Sequence, residues 1–398
     1  MASPLGKRSQ RDSDDSRKAP RLEELASFPI HPLSKYHGNC AVYKQPVELQ
    51  SYSIDHERSV HFDDRQLKYY LPADLSDADL SVGYDEFIQR DPGLKEHIDT
   101  LLDALTIARS KNEDPNTITA DIVTWRGIIT KLLCVPYAKD PFELGATLFN
   151  NTIYLEEHET EYKRSQNQGQ NDRQQLMGYW GYKFETLSTV SKFPPDMTEA
   201  DKEEIKSRKG ASANTNEQYC TVFKTKLGDN TLIMGAEVDC TSAPKQSDVN
   251  PLPNYLELKT SKLIESGRDK HIFERHKMLK FWAQSFLVGT PAVICGFRDN
   301  DGNVRKIQKL KTLEMPRMVR GQHGMWDARV CLNFADQFLS WLQNMITIDD
   351  PEHTYTITFE HPFQEIRIRS SGKQNVFLTK RYMEGQTSDQ IGGPRVGE

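Results

Sequence analysis

The chain has 398 residues, 37% of them hydrophobic and 27% charged, with a formal net charge of −6 at neutral pH. Its 17 Phe, 15 Tyr and 5 Trp supply bulky surface for a core, while no apolar run approaches the roughly 18–20 residues of a membrane-spanning helix. An acidic balance argues against nonspecific coating of nucleic acid, which calls for a basic surface, so any such ligand must be handled in a local pocket with metal ions offsetting the acids.

The first 21 residues carry six basic side chains, three aspartates and four serines with almost nothing apolar. Such a composition cannot offset the entropy of ordering, and residues 1–25 are expected to be a disordered basic tail. Its clusters Lys7-Arg8 and Arg17-Lys18-Ala19-Pro20-Arg21 fit a solvated tail and a nuclear-import signal equally well, and nothing at the start resembles the apolar segment of a secretory signal. Residues 26–383 are expected to form one domain, followed by a flexible tail over 384–398.

Within that domain, Ile98, Leu101, Leu102, Leu105 and Ala108 predict a helix over 92–109, and Ile122, Trp125, Ile129 and Leu132 a second over 119–134. The polar stretches 159–175 and 197–218 read as loops or loop-flanked helices. Short β-branched or apolar runs predict strands over 219–225, 231–240, 255–260, 291–298 and 304–310, with a hairpin turn at 226–230. Helices over 269–288 and 326–346 and strands over 355–359 and 365–369 complete the pattern. The expected class is mixed α/β, a two-sheet core with flanking helices. Six scattered cysteines without a C-x-x-C pair argue against zinc ribbons and disulfide scaffolds and for a reducing compartment.

The chemistry concentrates in Gly235-Ala236-Glu237-Val238-Asp239-Cys240 and Tyr255-Leu256-Glu257-Leu258-Lys259-Thr260. On a strand, residues two apart share a face. Glu237 then shares a face with Asp239, and Glu257 with Lys259, leaving Ala236, Val238, Leu256 and Leu258 to the core. Were the two strands neighbours, three carboxylates and one ammonium would converge. Such anions repel unless a cation sits among them, and hard oxygen ligands suit Mg²⁺ or Mn²⁺. A lysine beside the metal can orient water, which equips the site for phosphodiester hydrolysis.

An acid followed by an acid-x-lysine on the next strand resembles the active site of PD-(D/E)xK nucleases. Further motifs extend the resemblance: Trp125-Arg126-Gly127 in the second helix, Gly181-Tyr182-Lys183-Phe184-Glu185 with a fourth carboxylate expected on a strand, Lys280 to Leu287, and Cys295-Gly296-Phe297-Arg298. Together they resemble the DXO decapping-nuclease family, and the basic tail and length resemble its fungal nuclear branch. The resemblance implies that Glu185, Asp239 and Glu257 are ligands of two divalent ions, with Glu237 bound directly or through water and the Leu258 carbonyl completing the shell. It further implies that Lys259 and Gln284 hold the scissile phosphate and attacking water, and that Arg126, between Trp125 and Gly127, contacts the nucleotide. Arg58, Glu96 and Cys220 fall at substrate-pocket positions by the same resemblance, although Glu96 reads equally as a helix-face acid and Cys220 as a small core residue.

The implied activity is hydrolysis at the 5′ end of RNA: removal of NAD caps and incompletely methylated guanosine caps, and pyrophosphate release from triphosphate ends. A nuclear 5′→3′ exoribonuclease is the implied partner, and Phe193-Pro194-Pro195 reads either as its docking loop or as a buried turn. Two alternatives stay open: a mainly non-catalytic stabilising subunit of that exoribonuclease, and a DNA nuclease with the same type of metal site.

Overall fold

The computed structural model describes residues 24–385 apart from 73, 113–117 and 247–248. The basic clusters of the expected N-terminal tail lie outside the described residues, but Glu24 and Leu25 do not belong to a tail, because they open the first strand. In chain order the elements begin with β1 (Glu24–Pro29), β2 (Val47–Ile54), β3 (Val60–His61), β4 (Tyr69–Tyr70), α1 (Asp99–Ser110), β5 (Ile122–Trp125) and α2 (Arg126–Cys134). They continue with β6 (Phe142–Phe149), β7 (Thr152–His158), α3 (Glu161–Gln168), α4 (Asp172–Ser188), β8 (Thr189–Val190), α5 (Glu199–Ser207), β9 (Gln218–Leu227) and β10 (Asn230–Glu237). The last are β11 (Cys240–Thr241), β12 (Tyr255–Lys262), α6 (Gly267–Ile272), α7 (Met278–Val288), β13 (Ala292–Arg298), β14 (Val304–Lys311), α8 (Met315–Val319), α9 (Ala328–Met345), β15 (Thr354–Phe359), β16 (Glu365–Gly372) and α10 (Lys380–Met383). One turn of π-helix, Phe273–Lys277, joins α6 to α7.

Among the described residues the strands form two mixed sheets. The larger runs β1-β16-β15-β6-β7-β5-β10-β9-β2-β3 and the smaller β14-β13-β12-β11-β4-β8. Alternation on β10 sorts its two faces: Leu232, Met234 and Ala236 join the main core with α2, α7 and α9, while Ile233 packs with α1 on the opposite face. On β12 the same period-two rule turns Leu256 and Leu258 toward α4, leaving Glu257 and Lys259 on the other face.

Three expectations fail in instructive ways. The 119–134 helix is a strand followed by a helix: β5 pairs in parallel with β10, Trp125 opposite Gly235, and α2 starts only at Arg126. The spacing Ile122-Trp125-Ile129-Leu132 mimics a helix because an inward strand residue and the first turn of an inward helix happen to fall in phase. The first helix begins at Asp99, not 92, since residues 92–98 are irregular, turning at 92–93 and 97–98 with His97 left-handed at φ 45°. Glu185 lies on α4, not on a strand. Asn171 Oδ1 accepts from the Gln174 N–H and Gln174 Oε1 accepts in turn from the Asn171 N–H, a reciprocal arrangement that fixes the start of that helix.

Candidate active site

The strand carrying Glu237 does not continue through Asp239. β10 ends at Glu237, residues 238–239 leave the large sheet, and Cys240 enters the small one opposite Leu256 of β12. The two acidic motifs are therefore not on neighbouring strands of one sheet. They meet because the chain crosses from one sheet to the other between Glu237 and Cys240. Since β11 pairs with only the first two residues of β12, the edge of β12 is open from Glu257 onward. The Leu258 N–H on that edge donates to Asp239 Oδ2 at 2.6 Å. In an extended strand the N–H and C=O of one residue point to the same side, so the Leu258 carbonyl also faces the acids.

Lys259 Nζ lies 2.6 Å from Glu257 Oε1 and 3.7 Å from Asp239 Oδ2. Glu185 approaches from α4 and Glu237 from the end of β10, and both line a cleft of about 660 Å³ with Asp239. Burial raises the Glu185 carboxyl well above its ordinary range, and the Asp239 anion adds to the rise. Asp239 is pushed up to about 7, first by burial and also by Glu257. Glu237 is raised as well, chiefly by burial; its carboxylate is walled by protein yet open to solvent along the cleft. Burial disfavours the Glu257 charge too, but Lys259 and Arg126 outweigh it and hold that carboxyl below its ordinary value. Lys259 gains the converse benefit: despite desolvation, Asp239 and Glu257 raise its ammonium above the usual lysine range.

Arg126 is buried as the first residue of α2, with Nη1 3.5 Å from Glu257 Oε2, close enough for an ion pair. That nitrogen makes no hydrogen bond. No side chain caps α2, its first turn holds no acid, and Gly127 is exposed with open space where a Cβ would stand. An uncapped helix start and a guanidinium nitrogen without a hydrogen bond make this corner, beside the carboxylates, chemically suited to an anion. Trp125 holds the corner in place. Its ring lies so close to Gly235 that a Cβ there would stand 2.6 Å from it. A similar contact seats α4, whose Phe184 ring would meet a Cβ on Gly296 at 2.5 Å.

At the cleft mouth Glu96 accepts both oxygens' worth of contact from Arg58 Nη2, at 2.6 and 2.7 Å. Arg90 reaches the same carboxylate at 2.6 Å. Arg58 also donates to Gln218 Oε1 at 2.7 Å, and Gln218 borders Glu237 in the cleft lining. Glu96 is thus a clamp between two guanidiniums rather than a helix-face acid. Cys220 is buried opposite Glu237 on β9, inside the α1 core cluster, which fits a small core residue. Gln284 is half-buried on α7 and stands outside the residues lining the cleft. Tyr182, Lys68, Arg90 and Arg208 line the cleft as well and were not legible as site residues. Only Tyr182 carried a signal, its place within the Gly181-to-Glu185 motif.

Among the described residues no three His, Cys, Asp or Glu side chains stand as a ready-made metal cage; Lys259 occupies the space between Glu257 and Asp239 as their counter-cation. The donor chemistry still fits a hard divalent ion, because carboxylates whose charge is held back by burial and mutual repulsion gain from any cation placed among them.

The RAI1 like PD-(D/E)XK nuclease profile matches residues 44–383. The decapping nuclease RAI1 of Emericella nidulans is 40% identical over 324 residues, covering 80% of this chain and 87% of that protein. The crystal structure of Candida albicans Rai1 in complex with pU5-Mn²⁺ superposes with a TM-score of 0.81 at 26% identity, over 90% of this chain and 98% of that one. Scheffersomyces stipitis Rai1 in complex with (3′-NADP)⁺ and calcium ion gives 0.77 at 26% identity, over 92% and 99%. With a profile match over residues 44–383 and a relative 40% identical over most of its length, the chain belongs to the RAI1-like PD-(D/E)XK nucleases, a family of hydrolases.

Proposed function

We propose that the protein is a divalent-metal-dependent hydrolase of RNA 5′ ends, acting on NAD caps, incompletely methylated guanosine caps and triphosphate ends. The observation that carries this reading is the gathering of four carboxylates beside one lysine: Glu185, Glu237 and Asp239 line the cleft, and Glu257, ion-paired with Lys259, lies behind them with Lys259 reaching Asp239. In this reading those four carboxylates and the Leu258 carbonyl hold Mg²⁺ or Mn²⁺, which supplies charge neutralisation and water activation for phosphodiester hydrolysis. Lys259 stays charged at neutral pH, so it acts as an electrostatic partner for the phosphate and the incoming water rather than as a base. Arg126 and the uncapped start of α2 take a phosphate oxygen, and Gln284 contributes an amide donor from α7. Relatives bearing a 5′-phosphorylated oligouridine with Mn²⁺, and an NADP derivative with calcium, support the substrate class. Incubation with Mn²⁺ and NAD-capped, triphosphate and monophosphate RNAs, followed by product identification, tests it. Hydrolysis of matched DNA at an equal rate, or of none of these RNAs, refutes it.

The same reading includes a nuclear role beside a 5′→3′ exoribonuclease. It rests on the loop at 193–195: Phe193 is half-buried with its ring 5.5 Å from that of Tyr69, and Pro195 beyond it is exposed. Phe193→Asp is expected to weaken association with such a nuclease while leaving cap hydrolysis intact. Unchanged association removes this loop as the docking site.

A further inference from the structure

One aromatic side chain of the cleft, Tyr182, is packed on one side only. Tyr182 is 42% exposed, lines the cleft beside Glu185 and Glu237, and sits three residues before Glu185, hence on the same side of α4. One face of its ring is backed by Phe87, nearly parallel at 28° with centroids 5.7 Å apart. Phe87 is in turn held edge-on by Tyr179, one turn earlier on α4, at 5.0 Å, and the Tyr179 hydroxyl is tied to the Val82 carbonyl at 2.9 Å. The ring is therefore fixed from behind while remaining open toward the cleft. Most of the surrounding lining is polar or charged, with Lys68, Arg90 and Arg208 as its cations, and the other aromatic in it, Tyr219, is buried.

A flat, preorganised π-surface at the border of a phosphate-handling acidic cluster matches a nucleobase, which presents its own π-face to any aromatic ring regardless of sequence. We propose that Tyr182, backed by Phe87, is the stacking platform for the base of the first RNA nucleotide, holding it while the adjoining phosphate lies over the carboxylates. This rests on the RNA 5′-end reading and deepens it: the enzyme grips the end through one base without reading its identity.

The test is titration calorimetry in Ca²⁺ with two 5′-phosphorylated RNA pentamers, one complete and one abasic at its first nucleotide. Tyr182→Ala should weaken binding of the complete pentamer at least about fivefold, the lower end for a base on an aromatic ring, while Tyr182→Phe keeps parental affinity. Both variants should bind the abasic pentamer within about twofold of the parent. Tyr182→Leu, which keeps apolar packing against Phe87 but removes the flat ring, should behave as the alanine variant and guards against a folding defect. Equal losses on both pentamers, or no loss on either, overturn the platform. A parent protein that binds neither pentamer overturns instead the RNA-end reading beneath it.

Discussion

Gly296→Ala tests whether α4 is seated by the contact between Phe184 and the small sheet. The added Cβ would lie 2.5, 2.9 and 2.9 Å from three atoms of the Phe184 ring, well inside normal carbon contact. Phe184 is fully buried among Trp180, Leu256, Leu258 and Ile294, so the ring has nowhere to turn and α4 must move by roughly 1 Å to restore contact at 3.5–4 Å. Overpacking of this kind costs about 1–3 kcal/mol, less about 0.5–1 kcal/mol recovered because alanine restricts the unfolded chain more than glycine does. The net, up to about 2.5 kcal/mol, lowers Tm by up to about 3 °C, since unfolding entropy of about 2.1 cal/mol/K per residue over about 360 residues makes 1 kcal/mol worth a little over 1 °C. Glu185 follows Phe184 directly, and a misplacement of about 1 Å can cost on the order of 10² in rate. Circular dichroism melting and hydrolysis of a 5′-triphosphate RNA with Mn²⁺ measure the two effects. Adding Phe184→Leu gives the methyl room, so the double variant should be more stable than the sum of the single changes allows. Parental Tm and rate in Gly296→Ala, or strict additivity in the double variant, would show that α4 does not depend on this contact.

Glu237→Ala combined with Asp239→Ala should abolish hydrolysis and lost Mn²⁺ binding should appear by calorimetry, with Tm unchanged or raised as buried like charges are removed; an active double variant would sink the metal-site proposal. Lys259→Ala should lower kcat by on the order of 10²–10³, about 3–4 kcal/mol of transition-state stabilisation, and Lys259→Arg should rescue it poorly because a planar fork cannot take the same point-charge position. Far from the cleft, His158 hydrogen-bonds Glu143 and Glu156, and His97 shares Glu156, while Arg369 of β16 also acts on Glu143. Those carboxylates raise the His158 imidazole from 6.5 to about 9, so the folded state binds its proton more tightly than the unfolded chain does. The resulting stability, at most about 3 kcal/mol, is fully present below pH 6.5 and is lost as pH rises through about 9. His158→Gln should therefore lower Tm most at pH 6, with the deficit shrinking toward pH 9.5; a pH-independent deficit refutes the assignment.

Much of the small sheet was legible because β12 and β13 alternate or run apolar between clear breaks, and Glu257 and Lys259 share a face as the period-two rule requires. The pairing of Glu237 with Asp239 was legible only in sequence. No local pattern announces that the chain changes sheets at 238–239, because the crossing is set by pairing of Cys240 with Leu256, a contact between separate segments. Glu185 misled because Tyr182 and Phe184 alternate like strand residues, whereas the signal for α4 lay at its far end, in the Asn171–Gln174 cap. Arg126 does lie on a helix, but in-phase apolar residues spanning a strand and a helix hid that it is the first residue of that helix. The Arg58–Glu96–Arg90 clamp joins residues from two loops, 55–59 and 87–98, and nothing in their neighbourhoods says that they meet.

The passage of the chain between sheets at 238–239 also bears on the order in which the molecule becomes active. Glu237 is delivered by the large sheet, Glu257 and Lys259 by the small one, and Arg126 by a helix whose seat requires β5 already paired beside β10. All are contacts of high sequence separation, which form late and slowly in folding. A partly folded chain with either sheet complete owns only a fraction of the carboxylates and no corner to receive a phosphate. A nascent nuclease built this way is inert toward cellular RNA until its last long-range contacts close.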